Sequence, residues 1–207
     1  MVTMETRRQM DMKKIKIIAL FGKSGAGKDT IQNAVLAEFP EINGIVSCTT
    51  RPMREYETNG VNYHFMSTEE FTKKVLNGTM LEATEFRGWF YGTPLDSLDP
   101  DKINIGVFNI AGIDALLEDS RLEVYPVIVY APDKIRLLRS LLREDSPDCA
   151  EICRRFETDN QDFLKCDFTP FFVWENYEYP CPDDYLTWSK DIIQTFNRLM
   201  EKIDKVD

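Results

Sequence analysis

Residues 22–30 read GKSGAGKDT, which places glycines around a lysine in a pattern suited to binding phosphate. In the pattern G-x-x-x-x-G-K-[ST], backbone N–H groups turn towards phosphate oxygens and the lysine bridges the terminal phosphates. A hydroxyl residue normally follows the lysine, but here Asp29 follows Lys28 and Thr30 comes next. We therefore predict a nucleotide phosphate site formed by Gly22, Lys23, Ser24, Gly25, Ala26, Gly27, Lys28, Asp29 and Thr30.

Asp29 stands where a hydroxyl would usually reach Mg²⁺, and three interpretations are open. Its carboxylate could contact the metal directly or through water, because carboxylates are hard oxygen ligands. Thr30 could instead supply the hydroxyl, with Asp29 turned aside. The site could also be inactive, although an inactive relic would not be expected to keep Lys28 and all its glycines. We predict that Asp29 and Thr30 are the candidate metal ligands.

Two groups of arginines could bind further phosphate charge. Arg51 and Arg54 lie three residues apart in a loop after a strand, where two guanidinium groups can clamp one phosphate. Solvated surface arginines are the alternative reading of this pair. The second group lies on a helical region, with two members one turn apart and two more about ten residues later. It consists of Arg139, Arg143, Arg154 and Arg155.

The elements around the phosphate pattern predict an α/β fold. Residues 14–22 form an apolar, β-branched run typical of a buried strand, and residues 28–39 show helical spacing up to Pro40. Further strands are expected in GIVSCTT, INIGVFNI, LEVYPVIVY and DFTPFFVWEN. Pro126 favours an irregular or edge position for its strand. Alternating strands and helices predict a parallel sheet.

Three helical regions complete this reading. A short helix should begin at Ser67 or Thr68 with a capping pattern, inside an aromatic-rich segment that interrupts the main sheet. Residues 133–163 predict a long helical region with a break near Ser146 and Pro147. An amphipathic helix after Pro182 and Asp183 should close the chain.

The segment of residues 47–93 resembles the guanylate kinase family. It carries S-x-T-T-R-x-x-R, then G-x-x-Y-x-F, a hydrophobic residue before glutamate, and aromatic-Tyr-Gly-Thr, in family order. The resemblance extends over about residues 15–176. It implies a three-layer phosphate-loop NTPase fold with a central parallel sheet, an inserted nucleoside monophosphate (NMP)-binding subdomain and a helical lid. The predicted division is a tail at 1–14, a core at 15–46, 94–143 and 167–207, the insertion at 47–93 and a lid at about 144–166.

The same resemblance assigns roles to the acceptor side. A carboxylate can accept from both the N1–H and the 2-amino group of guanine, and Glu82 matches the family's base-binding glutamate. The lid arginines Arg139, Arg143, Arg154 and Arg155 would offset charge in phosphoryl transfer, together with Lys28 and Arg51. Asn176 resembles a residue near the adenine of ATP. The substrate-binding set is Ser47, Arg51, Arg54, Tyr63, Glu82, Tyr91, Thr93 and Asn109.

The match departs from the family pattern after the central strand. The family has D-x-D-x-Q-G there, whereas this chain has Val107 and Asn109 at the two aspartate positions. Asn109 could present its carbonyl to the guanine amino group, but its amide could equally face another base. We also hypothesise that Asp29 supplies near Mg²⁺ the carboxylate that Val107 lacks.

The resemblance implies an ATP- and Mg²⁺-dependent kinase that phosphorylates GMP or dGMP, with no covalent intermediate. One alternative is a deoxynucleoside monophosphate kinase for a different or modified base, because GKDT resembles the loop of some phage-type enzymes. A non-catalytic protein-binding module is a second alternative, disfavoured by the intact loop. A switch GTPase is weaker still, since the sequence has no N-K-x-D.

Composition narrows the remaining classes. The chain has 207 residues and a net charge of −10, which argues against a nucleic-acid-binding protein and leaves small nucleotides as the expected partners. The sequence contains no run of 18 apolar residues, so we predict no membrane-spanning segment. Five cysteines without C-x-x-C spacing predict reduced thiols and a cytoplasmic protein. We separately expect a monomer or homodimer. A single histidine makes His-based catalysis improbable, and we expect Arg121 and Arg136 to be ordinary surface arginines.

Overall fold

The structure is a computed structural model and describes residues 13–54, 57–143, 145–177 and 185–206, with residues 185–189 as backbone only. Over these residues the strands are β1 (Ile15–Phe21), β2 (Asn43–Gly44), β3 (Cys48–Thr49), β4 (His64–Phe65), β5 (Met80–Phe86), β6 (Trp89–Pro94), β7 (Asn104–Val107), β8 (Leu122–Tyr130) and β9 (Phe172–Glu175). The α-helices are α1 (Lys28–Glu38), α2 (Thr68–Leu76), α3 (Ile110–Glu118), α4 (Asp133–Leu141), α5 (Cys149–Phe163) and α6 (Tyr185–Ile203). A short 3₁₀ turn covers Leu95–Ser97.

The central sheet has five parallel strands in the order β2-β7-β1-β8-β9, which confirms the predicted α/β class. β1 lies in the middle, and its side chains alternate between two buried cores. On one face Ile18 and Leu20 pack with helices α1 and α6. On the other face Ile17 and Phe21 pack with α3. The result is a three-layer arrangement in which the phosphate pattern follows the carboxyl end of the central strand.

A second sheet, which we call the small sheet, has the strand order β4-β3-β6-β5. Its β5–β6 pair is an antiparallel hairpin, while β3 pairs with β4 in parallel and with β6 antiparallel. Helix α2 packs on it and begins with the predicted capping box. Ser67 accepts from the Glu70 N–H, and the Glu70 carboxylate accepts from the Ser67 N–H.

Two expectations about strands are wrong. GIVSCTT does not form one strand, because β2 pairs with β7 in the central sheet and β3 belongs to the small sheet. The strand with Pro126 is not at an edge, since β8 lies between β1 and β9. The Pro126 carbonyl accepts from the Phe171 N–H at 2.8 Å. Its missing N–H therefore faces the segment before β9, and no bond to β1 is lost.

Other sequence expectations stand as follows. The break between α4 and α5 falls where Ser146 and Pro147 predicted it. The proposed capping residues Pro182 and Asp183 lie outside the described residues, as does most of the 1–14 segment. Among the described cysteines, Cys48, Cys149, Cys153 and Cys166 are free thiols. No helix in the described part of the chain is long and apolar enough to span a membrane.

Candidate nucleotide-binding and acceptor site

The phosphate loop joins β1 to α1, and its glycines permit a conformation and closeness that other residues would not. Gly27 precedes the first residue of α1 with a φ of 95°, and a Cβ there would lie 2.5 Å from the Asn176 side-chain nitrogen. Gly25 has a φ of 77°, and its Cβ would lie 2.5 Å from the Arg136 carbonyl oxygen. The loop therefore wraps tightly against α4 and the end of β9, with the helix N-terminus facing the site.

Lys28 is held inside this loop. Its Nζ donates to the carbonyls of Gly22 at 2.8 Å and Lys23 at 3.3 Å. Burial lowers the pKa of Lys28, while the negative charges of Asp29 and Asp159 act to raise it. The carbonyls of Gly22 and Lys23 thus orient the Lys28 ammonium group without help from a bound phosphate.

Arg139 and Asn176 stabilise the phosphate loop by donating hydrogen bonds to its carbonyl oxygens. Arg139 Nη1 donates to the carbonyls of Gly25 at 3.3 Å and Ala26 at 3.1 Å, and burial lowers the pKa of Arg139. Asn176 Nδ2 donates to the same Ala26 carbonyl at 2.8 Å. Arg139 Nη2 also contacts the Asn176 carbonyl and side-chain oxygens at 3.3 Å. The two side chains brace the loop, and their predicted contacts with phosphate and adenine stay predictions.

Arg136 corrects the sequence reading, because it is only 1% exposed rather than a surface residue. Its Nη1 donates to the Ser24 carbonyl at 3.0 Å, and its Nη2 donates to Asp133 at 2.8 Å. The guanidinium also lies 4.3 Å from the centre of the Phe156 ring. Arg136 therefore connects α4, the phosphate loop and α5. By contrast, the predicted surface position of Arg121 is confirmed: it is exposed and pairs with Asp119.

The Arg51–Arg54 loop contains a buried carboxylate that the sequence reading missed. Glu57 accepts two hydrogen bonds from Arg51, at 3.0 and 2.7 Å, and one from the Arg54 N–H at 2.8 Å. Burial acts to raise the pKa of Glu57, but these hydrogen bonds outweigh it and lower the pKa. Arg51 also lies against the Tyr63 and Phe65 rings, at 5.7 and 5.5 Å. Glu57 therefore holds the Arg51 guanidinium in one orientation.

Glu82 lies on β5 with its carboxylate next to Gly112 at the start of α3, and it is 9% exposed. Thr93 Oγ1 donates to Glu82 Oε1 at 2.8 Å across the β5–β6 pair. Burial raises the pKa of Glu82 to about 7, against the lowering effect of the Thr93 hydrogen bonds. A buried carboxylate with one fixed hydrogen-bond donor still has lone pairs for a ligand.

Asn109 is held by hydrogen bonds at both ends of its side-chain amide, and its predicted contact with a base stays a prediction. It precedes α3, and its Oδ1 accepts from the Gly112 N–H at 2.7 Å as a helix cap. Because this bond requires the oxygen, the amide nitrogen is fixed on the other side and donates to Thr84 Oγ1 at 3.0 Å. Thr84 is thus a further site residue. A polar side chain two positions after Glu82 is the only sequence signal for it.

One cavity of about 1050 Å³ brings most of the candidates together. A small adjoining pocket is lined by Asp29, Ser47, Tyr63 and Val107, so Asp29 and Val107 face the same space. Both Asp29 and Thr30 are exposed within the site. The main cavity is lined by Gly22, Ser24, Gly25, Gly27, Lys28, Asp29, Thr30, Ser47, Arg51, Arg54, Tyr63, Glu82, Tyr91, Asn109, Arg143, Arg154 and Arg155. Its lining does not include Lys23, Ala26, Thr93, Arg139 or Asn176.

Arg154 and Arg155 line this cavity, and both are already paired with an acid. Arg154 contacts Glu151 with two nitrogens at 2.6 and 2.8 Å, and Arg155 Nε contacts the same carboxylate at 2.7 Å. Hydrogen bonding from Arg154 lowers the pKa of Glu151 to about 2, despite partial burial. These pairs are partly exposed, so a phosphate group can compete for the arginines at small cost.

The phosphate loop after β1, the parallel sheet with β1 at its centre and the inserted small sheet define a phosphate-loop protein. The model of the family described as guanylate kinase matches residues 14–176. The chain therefore belongs to the guanylate kinase family.

Individual relatives support this assignment. A guanylate kinase from a Nostoc species is 32% identical over 157 residues, which cover 73% of this chain and 78% of the relative. One from Maricaulis maris is 28% identical over 194 residues, covering 92% and 81% of the two chains. The match to the Helicobacter hepaticus guanylate kinase, at 38% identity, spans 52% of this chain and only 56% of that relative. The first relatives are thus matched over about half of their length.

Solved structures give the fold independently. The crystal structure of guanylate kinase from Anaplasma phagocytophilum superposes with a TM-score of 0.66 and 23% sequence identity. The superposition covers 92% of this chain and 87% of that structure. At this identity the likeness establishes the fold alone.

Proposed function

We propose that this protein transfers the γ-phosphoryl group of ATP to GMP, giving GDP and ADP. One observation carries the proposal: the phosphate loop, the Arg51–Glu57 pair and the buried Glu82 all line one cavity. A donor phosphate site, an acceptor phosphate site and a base site are the three parts that such a transfer needs. The curated relatives named guanylate kinase support the choice of acceptor.

Glu82 is the proposed recognition group for guanine. Its carboxylate would accept the N1–H and the 2-amino hydrogens, while Thr93 keeps it oriented. Adenine offers no such pair of neighbouring donors. Because Asn109 directs its amide to Thr84 and caps α3 with its oxygen, we assign the main selection of the base to Glu82.

The acceptor phosphate would bind between Arg51, Arg54, Tyr63 and Tyr91. Glu57 would keep Arg51 aligned while a guanidinium edge contacts the phosphate. The surrounding rings remove water on that side, which strengthens the interaction between opposite charges. An oxygen of the GMP phosphate is already anionic at neutral pH, so no general base is required.

In the transfer step, that oxygen bonds to the γ-phosphorus as the bond from phosphorus to the β–γ bridging oxygen breaks. Negative charge gathers on the transferred group and on the leaving ADP. Lys28 from the loop, Arg51 from the clamp and the lid arginines are the proposed cations for this charge. Exclusion of water by the lid would favour transfer over hydrolysis of ATP.

The residues present fit a magnesium ion supplied with ATP. Mg²⁺ commonly takes one or two protein oxygens and fills its remaining positions with phosphate oxygens and water. Asp29 and Thr30 are exposed in the cavity at the start of α1 and would hold it. Held there, the ion would supply positive charge that offsets the negative charge of the phosphate oxygens.

We further propose a cytoplasmic protein that works as a monomer or homodimer on free nucleotides. The free thiols of Cys48, Cys149, Cys153 and Cys166 support a reducing compartment.

An ADP-release assay with ATP, Mg²⁺ and each of GMP, dGMP, AMP, dAMP, dTMP and CMP tests the proposal. We expect turnover with GMP and with dGMP, and little with the other four. Absence of turnover with every nucleotide would overturn the kinase assignment and favour a binding module. Turnover confined to a non-guanine nucleotide would overturn the base assignment alone.

A further inference from the structure

Asp159, on helix α5, connects three separate parts of the chain. Its carboxylate is 5% exposed. Oδ2 accepts from the Ser24 N–H in the phosphate loop at 2.6 Å and lies 3.6 Å from Arg136 Nη1. Oδ1 accepts from Arg87 Nη2 at 2.7 Å, at the tip of the β5–β6 hairpin. Neither Arg87 nor Asp159 was predicted from the sequence as a site residue.

Arg87 occupies a backbone position that its own residue type does not favour. It has a φ of 58° and is followed by Gly88 with a φ of 77°, as in a two-residue turn of the I′ type. Asn, Asp and Gly are preferred at such positions, because other side chains crowd the backbone there. The Arg87 side chain is nevertheless mostly buried and contacts α5 through Asp159 and the Arg155 carbonyl. Contacts with α5, which we call the lid helix, therefore account for an arginine at position 87.

The elements joined by this contact carry the proposed reacting parts. The hairpin carries Glu82 and Tyr91, helix α5 carries Arg154 and Arg155, and Ser24 belongs to the phosphate loop. A single buried carboxylate thus links the base site, the lid cations and the donor site. A carboxylate beside a phosphate site would by itself repel the ligand, so its pairing with two guanidinium groups and an N–H is required.

We propose that Arg87 and Asp159 form a latch that holds the β5–β6 hairpin and the lid helix together over the phosphate loop. This inference rests on the proposed kinase function for its effect on turnover. The two residues are positioning residues that need not touch nucleotide. Their contact favours the closed arrangement in which water is excluded and the acceptor faces the donor phosphate.

Kinetics of Arg87→Met and Arg87→Lys test the latch. Arg87→Met is expected to lower kcat for GMP about tenfold and to increase the share of ATP consumed without GDP formation. Arg87→Lys should recover part of both, because it keeps the charge without the planar two-nitrogen group. Arg121→Met is the matched control, since it removes an exposed Arg–Asp pair remote from the cavity and should behave as wild type.

A second background isolates the pair. In Asp159→Asn, adding Arg87→Met should lower kcat by less than about twofold, because the partner charge is already gone. A further tenfold loss there would overturn the latch. If Asp159→Asn does not fold, the single Arg87 variants at the hairpin tip still decide the question, together with exchange measurements.

Amide hydrogen exchange of the whole protein without nucleotide tests the latch independently of activity. Arg87→Met should speed exchange in α5 and in the β5–β6 hairpin by about tenfold, with α1 and α6 unchanged. Unchanged exchange in α5, with wild-type kcat and hydrolysis, would overturn the latch while leaving the kinase proposal intact. Faster exchange in a protein that turns over no nucleotide would support the latch and overturn the kinase proposal.

Discussion

The phosphate loop and the small sheet are positioned by different interactions. The loop is held mainly by backbone geometry, with glycines at φ 77° and 95° and carbonyls that accept from Lys28 and Arg139. The small sheet holds its functional groups through buried side-chain pairs, Arg51 with Glu57 and Glu82 with Thr93. The donor side therefore depends on glycines at fixed spacing and on partners more than a hundred residues away, such as Arg139. The acceptor side depends on side-chain pairs only 6 and 11 residues apart in sequence.

The largest expected effect lies on the donor side. Lys28→Met should lower kcat/KM about a thousandfold, because it removes a preorganised positive charge at the transferred phosphate. The free energy of unfolding should change little by comparison, which denaturant titration would check. Lys73→Met, on the exposed face of α2, is the control. Activity within about tenfold of wild type would show that the loop lysine is not a transfer residue.

Glu82 allows a test by pH on the acceptor side. Its folded pKa, at about 7, is raised above its ordinary value of 4.5 by burial, so the native state binds this proton more tightly than the unfolded state. Its stabilising contribution is present below the unfolded value and is lost as pH rises through about 7. Glu82→Gln should therefore be more stable than wild type by about 3 kcal/mol at about pH 8.5 and nearly equal at about pH 4. Equal stability at both values, measured in urea, would contradict this environment.

The Arg51 clamp should respond through KM for one substrate only. Glu57→Gln removes the charge that aligns Arg51, and we expect KM for GMP to rise about tenfold with KM for ATP unchanged. The exposed Glu69→Gln on α2 serves as the comparison. Equal increases for the two substrates would indicate a general loss of structure rather than a defect in the acceptor clamp.

Asp29 is expected to give the smallest effect. It is exposed and faces the same small pocket as Val107, so its carboxylate can add charge near magnesium only weakly. Asp29→Ser should raise the Mg²⁺ concentration for half-maximal activity about threefold. The exposed Asp101→Ser, remote from the loop, is its control. An unchanged Mg²⁺ dependence would remove the idea that Asp29 replaces a carboxylate missing at Val107.

The parts of the fold that sequence predicts are those with local causes. The strand, the glycine loop and α1 follow from apolar periodicity and from glycine spacing within 25 residues, and the α2 cap follows from Ser67 and Glu70. GIVSCTT fails because its residues divide between two sheets, and pairing partners 16 to 61 residues away decide that division.

The missed features of the site depend on side-chain contacts that only the folded chain establishes. Arg136 is a charged residue on an amphipathic helix, and such a residue is expected at the surface. It is buried because Ser24 and Asp159 lie next to it in the fold. Glu57 shows no sequence pattern of its own, and only its hydrogen bonds from Arg51 and from the Arg54 N–H reveal its role. Asn109 lines the same cavity as Glu82, but only the Gly112 N–H decides which end of its amide faces the helix.

Guanine recognition by Glu82 is tested most directly by measuring kcat/KM for GMP and for AMP in wild type and in Glu82→Gln. We expect wild type to prefer GMP by at least about a thousandfold, since a site built for hydrogen-bonded groups rejects a base that leaves it unpaired. Glu82→Gln should lose most of this preference, chiefly by a fall in GMP turnover. A wild type that uses AMP as well as GMP, or a variant with an unchanged preference, would contradict the assignment of Glu82 and the small sheet to guanine recognition.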